Sequence, residues 1–153
     1  MSVAFRRESD EEHKEPRFEL PIPPGPNLVT KRGYALIKKC TEELEAAVTS
    51  ASSEEQRAEL QRDLRYWRAR LATAQVAPPA AGDAVALGTR VTIEQAGNVR
   101  TLTVVGHDEA DPAAGLVAFA SPLAQAVMGA EPGETVDRPG NGQAIRIISI
   151  ERA

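Results

Sequence analysis

The sequence predicts an α+β protein: an antiparallel helical hairpin followed by a small antiparallel sheet domain that carries one short helix. Three observations predict it. Apolar residues recur every three or four positions between 31 and 75, then alternate in twos in several short stretches between 85 and 152. Between the two regimes lies Ala77-Pro-Pro-Ala-Ala-Gly-Asp83, which can continue neither a helix nor a strand. The length of 153 residues suits one ordinary domain or two small modules, and with only 4% aromatics the core has to be built from Ala, Val, Leu and Ile. The expected organisation is a flexible Pro-rich tail over 1–29, a hairpin over 30–76, a linker over 77–84 and a C-terminal domain over 85–153.

The tail is expected because residues 6–15 are mostly charged and Pro21-Ile-Pro-Pro-Gly-Pro26 excludes helix and central strand. Its default is polyproline II or no fixed structure, as a spacer or a docking ligand. The first helix is predicted over 31–49, with Ile37, Cys40, Leu44 and Ala47 or Val48 along one face and Thr30 as N-cap. The second is predicted over 54–75. Its seam is Leu60, Leu64, Trp67, Leu71 and Ala74, in steps of four and three. Ser52 and Ser53 precede it in capping-box arrangements with Glu55 and Gln56. The break between the helices is five residues, so the arms should fold back on each other, with lengths of about 24 Å (34–49) and about 33 Å (54–75). Trp67 is expected in the seam.

Beyond the linker, Arg90–Glu94 and Leu102–Gly106 read as strands joined by a turn at Gly97-Asn98. Leu116–Ala120 is a third strand, and Ala144–Ile150 a last one with Ile145, Ile147 and Ser149 on one face and Arg146, Ile148 and Ile150 on the other. A short helix begins at the N-cap Ser121 with Pro122 at its first position; Leu123, Val127 and Met128 turn inward and Gly129 stops it.

Composition excludes several classes of function. One cysteine, Cys40, rules out an intrachain disulfide and a cysteine-built zinc site, and His13 and His107 are far apart. No apolar run approaches a membrane span and the N-terminus lacks a signal-peptide apolar region, so a cytoplasmic protein is expected. The net charge of −4 divides into −2 over 1–30 (4 basic, 6 acidic), +2 over 31–75 (9 basic, 7 acidic) and −4 over 76–153 (5 basic, 9 acidic). Only the middle segment could meet phosphates, through a basic face of Arg57, Arg62, Arg65 and Arg68, unless neighbouring carboxylates neutralise it. No phosphate loop, dinucleotide fingerprint, nucleophile elbow or zinc-protease motif is present. The carboxylates of Asp108-Glu109-Ala110-Asp111-Pro112 read as a solvated turn. No catalytic residue, cofactor or metal is expected.

The order of features resembles the Gre factors, bacterial transcription elongation factors. Leu28-Val-Thr-Lys-Arg-Gly-Tyr34 is similar to the start of their helical hairpin. Val105-Gly-His-Asp-Glu-Ala-Asp-Pro112 and Ser121-Pro-Leu-Ala-Gln-Ala-Val-Met-Gly129 resemble two signatures of their C-terminal domain, as do Gly133-Glu-Thr-Val136 and the Ile-rich last strand. The resemblance covers about residues 28–151. It implies an FKBP-like C-terminal domain that docks on RNA polymerase at the secondary channel, and a coiled coil that enters the channel, where it can contact nucleic acid. The docking residues it points to are Ser121, Pro122, Leu123, Asp108, Glu109 and Asp111. The chain departs from the family at the hairpin tip. Cleavage-stimulating members carry an acidic Gly-Asp-x-Ser-Glu-Asn-Ala-Glu-Tyr motif there, whereas this chain has Ala47-Val-Thr-Ser-Ala-Ser-Ser-Glu-Glu-Gln56 on shorter arms, which resembles Rnk-type relatives. Ser52, Ser53, Glu54 and Glu55 are the tip candidates, although glutamates in a first helical turn are expected for the helix dipole alone. The expectation is a monomeric, non-enzymatic regulator of elongation with weak or no cleavage stimulation. The alternatives are an adaptor that uses the hairpin and the Pro-rich tail, and an isomerase- or hydrolase-like enzyme. Fold alone does not argue for the enzyme, and residues 77–153 contain one aromatic, Phe119.

Overall fold

The computed structural model describes residues 19–78, 82–137 and 143–152. Most of the predicted tail and the middle of the predicted linker therefore lie outside the described residues. The elements in chain order are β1 (Leu28–Val29), α1 (Lys31–Thr49), α2 (Glu54–Thr73), β2 (Gln75–Val76), β3 (Thr89–Gln95), β4 (Asn98–Val105), β5 (Leu116–Ala118), α3 (Pro122–Val127), β6 (Thr135–Asp137) and β7 (Ala144–Arg152). Two single 3₁₀ turns, His107–Glu109 and Pro112–Ala114, lie between β4 and β5.

By their contacts the residues form two compact units. Among the described residues, one contains 19–24 and Lys38–Ala72; the other contains Gly25–Ile37 and the residues from Thr73 onward. The expected boundaries differ, because they placed all of 30–76 in the hairpin. The reason lies in β1 and β2, which pair in parallel, Leu28 with Gln75 and Val29 with Val76. Gln75 N–H donates to the Asn27 carbonyl and Ala77 N–H to that of Val29, both at 2.9 Å. The end of the expected tail is thus a strand, and the second helix stops at Thr73 instead of reaching 75. Two-residue strands are too short to show a period in sequence.

In the first unit the arms are antiparallel. Arg68 of α2 reaches Glu45 of α1 at 3.0 Å, 23 positions back. Ser53 caps α2, its hydroxyl accepting from Gln56 N–H at 3.1 Å, while the Gln56 side chain accepts from Ser52 N–H at 3.0 Å. The reciprocal capping bond reaches one residue further back than the simple box predicts. Leu64 is buried; Leu60, Trp67 and Leu71 are only half-buried, because two helices cannot enclose a seam. Trp67 packs edge-on against Tyr66, ring centroids 5.2 Å apart.

In the second unit the main sheet has the order β5-β4-β3-β7-β6. It is mixed, not antiparallel throughout: β5 runs parallel to β4. The turns between Gly106 and Gly115 carry the chain back past the end of β4 to a start beside Thr103, so β5 travels in the direction of β4. The hairpin turn between β3 and β4 sits at Ala96-Gly97, one residue earlier than predicted, since Asn98 already pairs with Gln95. Both turn residues have positive φ, +53° and +81°, the two-residue geometry that matches sheet twist.

One face of the sheet is the core. Val91, Ile93, Leu102, Val104, Ile145 and Ile147 meet Leu123, Ala124 and Val127 of α3 there. Each fully enclosed Ile contributes about 1.5–3 kcal/mol of burial. The strict alternation predicted for β7 breaks at a bulge: Thr92 pairs with Ser149 and Ile93 with Ile147, so Ile148 has no counterpart. The extra residue reverses the facing of the positions beyond it. Ile148 is exposed and Ile150 turns back onto the core, contrary to its predicted outward side.

Candidate functional site

The groove beside α3 is built from both segments that resemble family signatures. It has a volume of about 650 Å³ and is lined by Ala110 and Pro112–Gly115 on one side, Val117 and Ala118 of β5 along the floor, and Ser121, Pro122 and Leu123 at the far end, with Arg100–Leu102 of β4 beside them. β5 is the edge strand. Part of its free edge is already covered: Asp111 N–H donates to the Leu116 carbonyl at 2.8 Å, and the Asp111 carbonyl accepts from Leu116 N–H at 3.0 Å. Ser121 N–H donates to the Ala118 carbonyl at 2.9 Å, which brings the helix start onto the end of the strand. The result is an apolar trough with one cation, Arg100, at its side and the exposed Asp111 in the turn that forms its wall.

The predicted docking residues play different parts in this arrangement. Pro122 is exposed at the first position of α3, where its fixed φ suits a helix start. Ser121 is the cap, its hydroxyl accepting from Ala124 N–H at 3.3 Å. Leu123 is 8% exposed and belongs to the core, so its contribution to a surface is small. Asp108 is half-buried and Asp111 exposed.

Glu109 contradicts the solvated-turn expectation. It is 7% exposed, and its carboxylate accepts from the Thr30 hydroxyl at 2.6 Å and lies 3.8 Å from Arg32 Nε. Thr30 is the N-cap of α1, as predicted, accepting from Gly33 N–H at 2.9 Å. A buried carboxylate at a helix N-terminus is favoured by the helix dipole and stabilised by the charge-assisted hydrogen bond. Glu109 therefore fastens the first turn of α1 to the sheet unit and is not available as a docking contact. Gly33 and Gly106 make room for this joint. A Cβ on Gly33 would lie 2.8 Å from Glu109 Oε1, and one on Gly106 would lie 2.4 Å from the Leu28 carbonyl oxygen. The partnership of Thr30 and Glu109, 79 positions apart, was invisible to sequence reasoning, whose only signal was the cap itself.

The basic face of α2 is neutralised. Arg57 pairs with Glu54, Arg62 with Asp63, Arg65 with Glu19 and Arg68 with Glu45. Hydrogen bonding to the Arg65 guanidinium holds the Glu19 carboxyl below its ordinary value of 4.5. At the tip, Ser52, Ser53, Glu54 and Glu55 are all exposed, and Glu54 is turned to Arg57. Cys40 is half-buried on its stripe. No helix among the described residues is long and apolar enough to cross a membrane.

A helical hairpin joined to a mixed sheet with a short capped helix beside its edge strand defines the class to which comparison also assigns the chain. The family described as "Transcription elongation factor, GreA/GreB, C-term" matches residues 79–152. The transcription elongation factor GreA of Roseiflexus sp. is 31% identical over 135 residues, 81% of this chain and 86% of that one. GreA of Desulfovibrio desulfuricans is 36% identical over 93 residues, 57% of each chain. Against several curated relatives of this kind the chain spans about half their length. A solved structure, that of GreA factor homolog 1 of Thermus thermophilus, aligns over 83% of this chain and 99% of its own at 17% identity, with a TM-score of 0.41. This chain belongs to the Gre family.

Proposed function

We propose that this protein binds bacterial RNA polymerase at its secondary channel and regulates elongation, without strong stimulation of transcript cleavage and without enzymatic activity of its own. The observation that supports it most is the groove beside α3, where the 105–112 and 121–129 segments, both similar to family signatures, form one surface. Within it the groove floor, Pro122, Asp111 and Arg100 carry the contact, while Leu123 and Glu109 hold the surface in shape. The match to full-length GreA relatives such as that of Roseiflexus sp. supports polymerase as the partner.

Weak cleavage is expected from the tip. A metal ion that assists phosphodiester hydrolysis has to be held within ångströms of the reacting phosphate. The tip offers Glu54 and Glu55 at the start of α2, and Glu54 is already engaged by Arg57. The arms are 19 and 20 residues, about 28 and about 30 Å by helix rise. The protein would occupy the channel as a monomer in the cytoplasm and meet nucleic acid only inside the polymerase complex.

The test combines binding and cleavage on purified polymerase. Complex formation that Pro122→Glu and Arg100→Glu weaken at least tenfold, with no rapid release of 3′ RNA fragments from backtracked complexes, is the expected result. Absence of binding would defeat the docking reading. Rapid cleavage lost in a Glu54→Ala, Glu55→Ala variant would defeat the passive-tip reading.

A further inference from the structure

We propose a second binding site on the sheet unit, for a small anion that carries two or more phosphate charges. It lies on the outer face of the sheet and is rimmed by Lys31, Arg32, Arg90 and Arg152. The face is fixed by register: Arg90 pairs with Thr103, and Thr103 with Leu116, so the three side chains stand in one row. Val91, Leu102 and Val104 point the other way into the core. Over this row the outer face is roofed by Thr30–Arg32 and by Ala77-Pro78, enclosing a cavity of about 460 Å³. Val105, on the same outer face, is accordingly 1% exposed. That volume falls in the range of small-molecule sites, about 300–1,000 Å³, and is too small for a helix.

Charge argues for the occupant. Of the cations that line the cavity, Arg32 lies 3.8 Å from its one lining carboxylate, Glu109, and Lys31 and Arg90 add two further positive charges. That carboxylate already accepts the Thr30 hydroxyl at 2.6 Å. Arg90 and Arg152 are two of only 5 basic residues in a segment, 76–153, that holds 9 acidic ones. Among the described residues neither Lys31 nor Arg90 forms an ion pair within 4 Å, and Glu151, the register partner of Arg90, neither pairs with it nor lines the cavity. Lys31 and Arg90 differ in this from the arginines of α2, since Arg57, Arg62, Arg65 and Arg68 each have a carboxylate. Like charges gathered over an apolar floor of Leu87, Val105 and Leu116 repel one another, and a polyvalent anion reverses the sign of that energy. Guanidinium forks match phosphate oxygens in pairs, which favours phosphate over a single carboxylate. This site stands apart from the docking groove and does not depend on polymerase binding.

Titration of the full chain with pyrophosphate, followed by amide chemical shifts and calorimetry at low salt, tests the proposal. Saturable shifts at residues 30–32, 88–90 and 103–105 are expected. A Lys31→Ala, Arg90→Ala variant should weaken binding at least about tenfold, about 1.4 kcal/mol, and Arg68→Ala should leave it unchanged. Both rim side chains are exposed, so the double variant should keep its thermal transition, which circular dichroism checks. Shifts that fail to saturate, that centre on α2, or that persist in the double variant would overturn the site.

Discussion

Gly33→Ala should destabilise this protein, although the same change in an ordinary helix stabilises it. Gly33 lies in the first turn of α1, where alanine is favoured over glycine by about 1 kcal/mol. Here the new Cβ would stand 2.8 Å from Glu109 Oε1 and 3.3 Å from Thr30 Oγ1. The carboxylate has to retreat by about 0.5 Å to restore ordinary contact, and it would retreat from the hydroxyl that it holds at 2.6 Å. A hydrogen bond to a charged group contributes about 1.5–3 kcal/mol, so the balance is a net loss of about 0.5–2 kcal/mol. In a Glu109→Ala background the obstacle is gone, and Gly33→Ala should stabilise by up to about 1 kcal/mol. The sign therefore inverts across a double-mutant cycle, with a coupling energy of about 1.5–3 kcal/mol. Urea unfolding of the four proteins, followed by circular dichroism, supplies the numbers. If Gly33→Ala stabilises the parent protein as much as it does the Glu109→Ala protein, the carboxylate does not hold α1 in the way described.

Gly106→Ala places a Cβ 2.4 Å from the Leu28 carbonyl oxygen, a backbone atom that cannot swing aside; the expected loss is about 3 kcal/mol, and hydrogen exchange should show Gln75 and Ala77 amides losing protection first. Ala96 has φ +53° in the β3–β4 turn, so Ala96→Asn should raise stability by about 0.5–1 kcal/mol, read from the urea midpoint. Since its folded pKa is lowered, the Glu19–Arg65 pair stabilises above the unfolded carboxyl pKa, and that contribution disappears as pH falls through the lower folded value. An NMR titration of the Glu19 carboxyl should find it below 4.5 and returned toward that value by Arg65→Gln.

The local periods of the chain determined a great deal. The 3.6-residue stripe of α1, the cap at Thr30, the capping serines of α2, the core-facing Ile145 and Ile147 and the Ser121-Pro122 start of α3 are all local signals, each written in residues within a few positions of one another. The two family-like segments were legible in the same way, as contiguous strings. Tertiary structure decided what depends on partners far away in the chain. Leu28–Val29 became a strand only because Gln75–Val76 arrived beside it. A bulge in β7, set by pairing with β3, turned Ile150 inward and left Ile148 outside. The direction of β5 was set by where the 106–115 turns returned the chain. Glu109 reads as one more carboxylate in an acidic turn until folding brings Thr30 to it across 79 positions and buries its carboxylate. Hydrogen bonds and desolvation act through space, so a residue's neighbours in the fold, and not those in the chain, decide whether its charge faces water or fastens two elements together.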